Sequence, residues 1–186
     1  MAKLISKSAS YDDLSRMPDD VVAELVHGDL FASPRPAFRH ARAQGRLFRH
    51  LARAFEDGEN GPGGWWIVAE PEIRLYGSAV VPDLAGWRLA RVPDYPDVNN
   101  FDIPPDWLCE VVSPSTERHD RVRKLPFYAG HGVQHAWIVD PQLKMLEVLR
   151  LSEGHWLTVA THAGDDVVRA EPFEAIELNL GWLWLE

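Results

Sequence analysis

The sequence predicts an α/β (α+β) fold, in which α-helices flank a mixed central β-sheet and extra antiparallel strands follow at the C-terminus. Two observations predict it. Helical and strand-like patterns follow one another in the order helix, three strands, helix and more strands. Hydrophobic residues make up 46% of the 186 residues, which is enough for one core. We therefore expect a single domain over residues 1–186.

The first part of the chain predicts two helices separated by a hairpin. A short helix is expected within residues 9–20, ended by Pro18. The segment VAELVHGDLFAS alternates in polarity, which predicts a hairpin with Gly28 at its turn. Residues 36–57 form the clearest helix of the chain, and a glycine-rich run ends it.

The rest of the chain is dominated by strand patterns. Six segments read as strands: WWIVAEPEIRLYG, SAVVPDLAGWRL, WLCEVVS, HAWIVD, KMLEVLRLSEG and HWLTVATH. Between the third and the fourth, residues 116–130 are expected to be largely helical. Pro126 requires this helix either to start late, near Arg123, or to be kinked. The stretch from Val92 to Pro105, rich in Pro, Asp and Asn, predicts a surface loop.

Two carboxylates lie in apolar, strand-like segments, where an uncompensated charge is unfavourable. Asp83 follows Pro82, at which a strand bends or loses pairing, so we expect Asp83 at a sheet margin. Glu110 lies in a strand that the pattern predicts to be buried on both faces. If the two strands are neighbours, the carboxylates can share one Mg²⁺ or Mn²⁺ ion. Alternatively, Glu110 forms a structural ion pair with a basic residue that follows it: Arg121, Arg123 or Lys124.

Lys124 follows Glu110 by fourteen positions, beyond a turn rich in Ser, Pro and Thr. Asp120, Lys124 and Tyr128 recur at helical spacing and are expected to share one helix face. An ammonium group there can orient an attacking water and offset the charge that develops on phosphorus. Two acids and a lysine are therefore the parts of a metal-dependent phosphodiesterase site.

The helix over residues 36–57 separates its charged side chains from its apolar ones. Five arginines form one stripe, which we call the arginine ridge: Arg39, Arg42, Arg46, Arg49 and Arg53. The ridge either contacts nucleic-acid phosphates or is a solvated face paired with acids of a neighbouring loop or subunit. His40 and Gln44 lie one turn apart on the apolar side and need partners there. They satisfy buried backbone or line the carboxylate site, where His40 can touch a water or a phosphate.

Several motifs together resemble one known family. VVPDLAGW, CEVVSPSTERHDRVRKLPFYAGHGVQHAWIVD, AELVHGDL and the early helical histidine are similar to a restriction-endonuclease family formerly catalogued as a domain of unknown function. That family belongs to the PD-(D/E)xK nuclease superfamily, and the resemblance extends from about Ser10 to the C-terminus. It implies a restriction-endonuclease-like fold, DNA as the substrate and Mg²⁺ or Mn²⁺ as the cofactor.

The same resemblance implies roles for particular residues. Asp83 and Glu110 would be the metal ligands, with the backbone carbonyl of Val111 as a third. The lysine of the superfamily usually stands two residues after the acid, where this chain has a valine, so its role passes to Lys124. Glu24 and His40 match further recurrent positions of the family. Together with Gln44, which the helix face already places near the site, Glu24 is a possible auxiliary group.

Composition limits the partners and the location. The net charge of −9 argues against coating nucleic acid by bulk charge, although a local basic patch remains possible. One cysteine and the lack of a long apolar run predict a cytoplasmic protein without a membrane partner. No glycine-rich phosphate loop follows a strand, so no nucleotide cofactor is expected. The apolar C-terminal segment LNLGWLWLE predicts a homodimer.

Three functions fit these features. The first is a Mg²⁺- or Mn²⁺-dependent DNA endonuclease that uses Asp83, Glu110, Lys124 and His40. The second is a nuclease-fold protein without turnover, which serves as a dimeric binding or regulatory module. The third is hydrolysis of a small phosphodiester, which the acidic total charge favours and the arginine ridge opposes.

Overall fold

The structure, a computed structural model, describes residues 1–94 and 100–184. Its strands are β1 (Lys3–Ser6), β2 (Val21–Val26), β3 (Asp29–Pro34), β4 (Trp65–Ala69), β5 (Ile73–Leu75), β6 (Ser78–Val80), β7 (Leu84–Arg88), β8 (Trp107–Val111), β9 (His135–Asp140), β10 (Met145–Ser152), β11 (His155–Ala163), β12 (Val167–Val168) and β13 (Leu178–Asn179). Its helices are α1 (Tyr11–Ser15), α2 (Phe38–Leu51), α3 (Glu117–His119) and α4 (Leu125–Gly130). A π-helical turn, Ala52–Glu56, continues α2, and a second one, Asp120–Lys124, joins α3 to α4. A 3₁₀ turn covers Leu180–Trp182.

The described strands form two larger sheets and a two-stranded one. The first sheet has the order β1-β3-β2-β6-β5, and the central sheet has the order β11-β10-β9-β8-β7-β4. In the central sheet β8 and β9 are parallel while the other neighbours are antiparallel. The mixed central sheet, its helices and the C-terminal antiparallel strands confirm the predicted fold class. Not all strands join the central sheet, because the first sheet is separate.

Two segments predicted as single strands are each divided between the sheets. WWIVAEPEIRLYG becomes β4 in the central sheet and β5 in the first sheet. SAVVPDLAGWRL becomes β6 in the first sheet and β7 in the central sheet, with the break at residues 81–83. Pro82 has no N–H to give to a ladder, which explains the break. Asp83 therefore lies where the chain passes from one sheet to the other.

The elements of the first part agree with the sequence. Ser10 and Asp13 form a capping box at the start of α1, which ends before Pro18. The hairpin of β2 and β3 turns at His27 and Gly28, with φ of 50° and 80°. Glycine adopts such a φ without strain, so the predicted turn is confirmed.

The second helical region begins at Glu117, so of the two alternatives for this helix, the late start near Arg123 is wrong. The π-helical turn precedes Pro126, which stands in the first turn of α4. A missing N–H is tolerated in a first turn. The region thus accommodates the proline through a change of helix type.

The loop expected from Val92 to Pro105 is described only in part. Residues 95–99 of this expected loop lie outside the described residues. Phe101 stacks on Trp87 with ring centroids 4.4 Å apart, and the Trp87 indole N–H donates to the Ile103 carbonyl. After the gap, Phe101 is therefore packed against the core, while Asp102 and Ile103 stay exposed, so the expected surface loop is met only in part.

Apolar residues cover both faces of the central sheet. The side chains of α2, including Leu47 and Leu51, pack on the face formed by Cys109 and Val111. Side chains of the helical region 117–130 pack on the opposite face with Leu108. The two helical regions therefore approach the sheet from opposite sides.

The C-terminal segment contributes to this core. Leu180, Leu183 and Trp184 are buried within the chain, so their burial does not need the predicted second copy. Trp182 alone among the described residues of this segment is a large exposed apolar side chain. No described helix is long and apolar enough to cross a membrane.

Two glycines give a direct test of the packing. A Cβ on Gly45, inside α2, would meet no atom within 4 Å, whereas one on Gly86 would lie 3.2 Å from Trp65. Gly45→Ala is expected to raise the free energy of unfolding by about 0.5–1 kcal/mol. Gly86→Ala is expected to lower it by about 1–3 kcal/mol. Urea denaturation measures both, and changes of the same sign would contradict this packing.

Candidate active site

The two predicted carboxylates meet at one edge of the central sheet. β7 begins just after Asp83, and its antiparallel neighbour β8 ends at Val111. Leu84 pairs with Cys109, so the next rung sets Asp83 opposite Glu110. The Val111 N–H donates to Asp83 Oδ2 at 2.6 Å. The expectation that these strands are neighbours is therefore met.

The start of α2 brings two polar side chains to Asp83. His40 Nε2 lies 2.7 Å from Asp83 Oδ1. The Gln44 amide donates to the Asp83 carbonyl at 3.1 Å and to the Glu70 carboxylate at 3.0 Å. Burial alone lowers the pKa of His40, but the hydrogen bond and charge of Asp83 outweigh it and raise that pKa above its usual value. His40 thus turns to the site, while Gln44 serves both backbone and site.

The ammonium of Lys124 is buried among oxygen atoms, with only 3% of the residue exposed. It lies 2.9 Å from Glu110 Oε1, 2.9 Å from Glu24 Oε1 and 2.9 Å from the Val81 carbonyl. Asp120 Oδ1 is 3.9 Å away. Burial lowers the pKa of this lysine, but the charges of Glu110 and Glu24 outweigh it and raise that pKa well above its usual value. The ammonium therefore stays charged.

Glu110 is 2% exposed and is held by two donors. Lys124 bonds to both carboxylate oxygens, at 2.9 and 3.0 Å, and the Tyr128 hydroxyl donates to Oε1 at 2.8 Å. Burial raises the pKa of Glu110 well above its usual value, although Lys124 opposes that rise. The ion pair considered as an alternative is thus formed by the same lysine that the nuclease interpretation requires.

Glu24 closes the site from the first sheet. It accepts a hydrogen bond from the Val81 N–H at 2.9 Å and lies 3.1 Å from His119 Nε2. Burial raises the pKa of Glu24, but the charge of Lys124 and the hydrogen bond to His119 lower it to about 2. Glu24 is therefore the ionised partner that holds Lys124 from the side opposite Glu110.

The site contains more acids than bases. Three carboxylates lie within 4 Å of the Lys124 ammonium, those of Glu24, Glu110 and Asp120. A fourth carboxylate, Asp83, is bonded to His40 in the same site. Burial raises the pKa of Asp120 to about 6, against the lowering effect of Lys124. In the described ranges no three His, Cys, Asp or Glu side chains are grouped to hold a metal ion. A cation would therefore need backbone oxygen or water in addition to two carboxylates.

These groups line one cavity of about 570 Å³. One wall consists of β2 and residues 33–37, and the other consists of residues 113–116. His40, Asp83 and Glu110 lie between the walls. The cavity is therefore formed by both larger sheets, the start of α2 and the segment that follows β8.

Sequence reasoning missed two members of this site. His119 stands five residues before Lys124, a spacing that a regular α-helix does not bring to one face but that the π-helical turn does. Glu70 directly follows β4, and no local sequence pattern marks it as a site residue. Asp120 and Tyr128 were expected only as neighbours of Lys124 on one helix face, which is confirmed by their shared burial around Glu110.

The arginine ridge begins near the same sheet edge. Arg39 Nη1 lies 3.4 Å from the carbonyl of Pro141, just beyond β9, which ends beside β8. Arg53 is paired with Glu59, as the solvated-face interpretation expects. The remaining three arginines, Arg42, Arg46 and Arg49, form no hydrogen bond or ion pair with the described residues. The Nε atom of Arg42 is buried without a partner.

Comparisons with known proteins identify a family and a similar fold. The family model Uma2, described as "Putative restriction endonuclease", matches residues 9–181. The fold is similar to the crystal structure of a putative nuclease from Anabaena variabilis, with a TM-score of 0.73 and 20% identity over 94% of this chain and 99% of that chain. No curated protein matches the chain. The structural likeness establishes the nuclease-like fold, and the family match covers nearly the whole chain.

Asp120 offers a test of the charge imbalance. Because its pKa rises from 3.8 to about 6 on folding, stability is lost as the pH rises through that range. Asp120→Asn removes this loss and is expected to raise the free energy of unfolding at pH 8 by about 1–3 kcal/mol. The gain should shrink between pH 6 and pH 4.

Urea unfolding in a chelating buffer measures this effect, and Asp102→Asn is the control because Asp102 is exposed. The control is expected to change stability by less than about 0.5 kcal/mol. If Asp120→Asn destabilises the protein equally at both ends of the pH range, the raised pKa of Asp120 and the excess of buried acids are contradicted.

Proposed function

Because the chain belongs to the Uma2 family, described as putative restriction endonucleases, we propose that it is a Mg²⁺- or Mn²⁺-dependent DNA endonuclease. One observation carries the proposal, namely the meeting of Asp83, Glu110 and Lys124 at one sheet edge, with the ammonium 2.9 Å from Glu110. Two acidic oxygen donors beside a fixed positive charge suit phosphodiester hydrolysis.

The donor set fits a hard divalent cation. Asp83 and Glu110 supply carboxylates, and the Val111 carbonyl points to the same edge as its N–H, which bonds to Asp83. The strand register, extended by two residues, sets Val111 opposite Pro82, which has no N–H to give to that carbonyl. Mg²⁺ and Mn²⁺ prefer such oxygen ligands. The excess of buried carboxylates over ammonium groups also favours a cation here.

The residues of the chain have separate roles in this proposal. A bound cation would polarise the phosphoryl group and make a water more acidic. Lys124 offsets the charge that develops on phosphorus, and Glu24 holds the ammonium in position as an auxiliary group. His40 donates to Asp83 and fixes the direction of that carboxylate, while Gln44 holds its backbone.

The arginine ridge supplies the contacts to DNA in this proposal. It starts at Arg39, beside the sheet edge that carries Asp83 and Glu110. Three of its five guanidinium groups have no partner among the described residues, so they can bind phosphates without breaking an ion pair. Homodimerisation stays a prediction.

Glu110→Gln tests the site because it keeps the shape of the side chain and removes its charge. We expect the variant to lose at least about a hundredfold of Mn²⁺-dependent DNA cleavage. Calorimetry should show a parallel loss of Mn²⁺ affinity, since one of the proposed ligands is weakened. The control is Glu153→Gln, which changes an exposed glutamate in the turn after β10.

Circular dichroism establishes that both variants are folded. If Glu110→Gln cuts DNA as fast as the wild type, the assignment of the site is wrong. If the wild type neither binds Mn²⁺ nor cuts DNA, the non-catalytic binding module is the better interpretation.

A further inference from the structure

The acidic groups of the site lie at the bottom of a walled cavity. Glu110 is 2% exposed, and the side chain of Asp83 is 16% exposed. The walls meet on one side, because the Ala2 N–H, next to β1 of the first sheet, donates to the Ser115 carbonyl at 2.7 Å. A stiff duplex keeps its phosphates on a fixed helical path. An unpaired strand can bend one phosphodiester down to the cavity floor.

The cavity carries few cations for a duplex. Apart from histidines, its described lining contains only Lys124 and Arg35 as basic side chains, and Arg35 bonds to the Asp19 carbonyl. Lys124 is already surrounded by carboxylates. Three guanidinium groups with no partner among the described residues, those of Arg42, Arg46 and Arg49, lie instead in single file on the arginine ridge. The ridge spans about 21 Å from Arg39 to Arg53. A single row of guanidinium groups matches one backbone better than two.

An exposed tryptophan stands at the far end of this ridge. Trp182 is 55% exposed, and the His50 ring packs against it edge-on with centroids 5.9 Å apart. His50 is itself held at 3.0 Å from the Glu177 carbonyl. Trp182 lines a second cavity of about 480 Å³ together with Arg53 and Arg169, which are paired there with Glu59 and Glu177. A positioned aromatic ring beside guanidinium groups is the arrangement on which unpaired bases stack.

We propose that the substrate is single-stranded DNA, or an unpaired tract within a duplex. One phosphodiester enters the cavity, the flanking backbone follows the arginine ridge, and a base stacks on Trp182. This inference rests on the proposed nuclease function and names its substrate class. It also explains why Arg42, Arg46 and Arg49 have no protein partner among the described residues.

Binding is tested without cleavage, by fluorescence anisotropy in EDTA with a labelled oligonucleotide. The wild type is expected to bind the single strand more tightly than the duplex of the same sequence. Trp182→Ala should weaken single-strand binding about five- to hundredfold. Tyr76→Ala is the matched control, because Tyr76 is 94% exposed at the turn between β5 and β6. This variant is expected to bind the single strand as tightly as the wild type.

The ridge is tested by the salt dependence of the same binding. Arg46→Ala and Arg49→Ala should each lower the slope of log affinity against log salt by about 0.7, the value for one phosphate of a single strand. Arg16→Ala, which removes an exposed arginine next to α1, should leave the slope unchanged. Equal slopes for all three variants would overturn the path along the ridge.

Cleavage with Mn²⁺ then separates the two proposals. A duplex that is bound and cut as well as the single strand would overturn the substrate class. A Trp182→Ala variant that behaves like Tyr76→Ala, or that loses only self-association, would overturn the stacking role. If single strands bind as described but no DNA is cut with Mg²⁺ or Mn²⁺, the nuclease proposal fails while the single-strand path stands.

Discussion

A buried ammonium shared between two sheets is the interaction on which the site depends. Lys124 joins Glu24 of the first sheet to Glu110 of the central sheet and also donates to the Val81 carbonyl at the point where the chain changes sheets. Removing one member of such a buried pair typically costs about 3–5 kcal/mol, because the other charge is left without compensation. The arrangement therefore constrains both sheets, although it adds little net stability compared with apolar packing.

The break at Pro82 provides the second constraint. Since proline cannot continue a ladder, β6 and β7 belong to different sheets, and Asp83 lies in the gap between them. The two helical regions reach this gap from opposite faces of the central sheet, one with His40 and the other with Lys124. The result is a buried group of carboxylates, in which burial first and the charges of Glu24 and Asp83 second raise the pKa of Asp120 to about 6. Such an uncompensated cluster is typical of functional sites and atypical of purely structural ones.

Local patterns in the sequence were enough to predict part of this picture. The hairpin turn at Gly28, the long helix α2 and the shared face of Asp120, Lys124 and Tyr128 follow from turn chemistry and periodicity. The division of the strands between two sheets depends on tertiary pairing, which alternation alone does not encode. The sequence also does not predict what the apolar C-terminal segment packs against. An apolar segment that packs on the core of its own chain has the same pattern as one that packs on a second copy. His119 is not predicted as a site residue, because α-helical spacing does not apply across a π-helical turn.

The central claim is that Asp83 and Glu110 share one cation at the sheet edge. A crystal of the protein soaked in Mn²⁺ and measured at the manganese absorption edge tests it most directly. We predict one anomalous peak about 2.2 Å from oxygens of Asp83, Glu110 and the Val111 carbonyl. A soaked crystal with no peak there, in which Glu110 still bonds only to Lys124 and Tyr128, would contradict the claim.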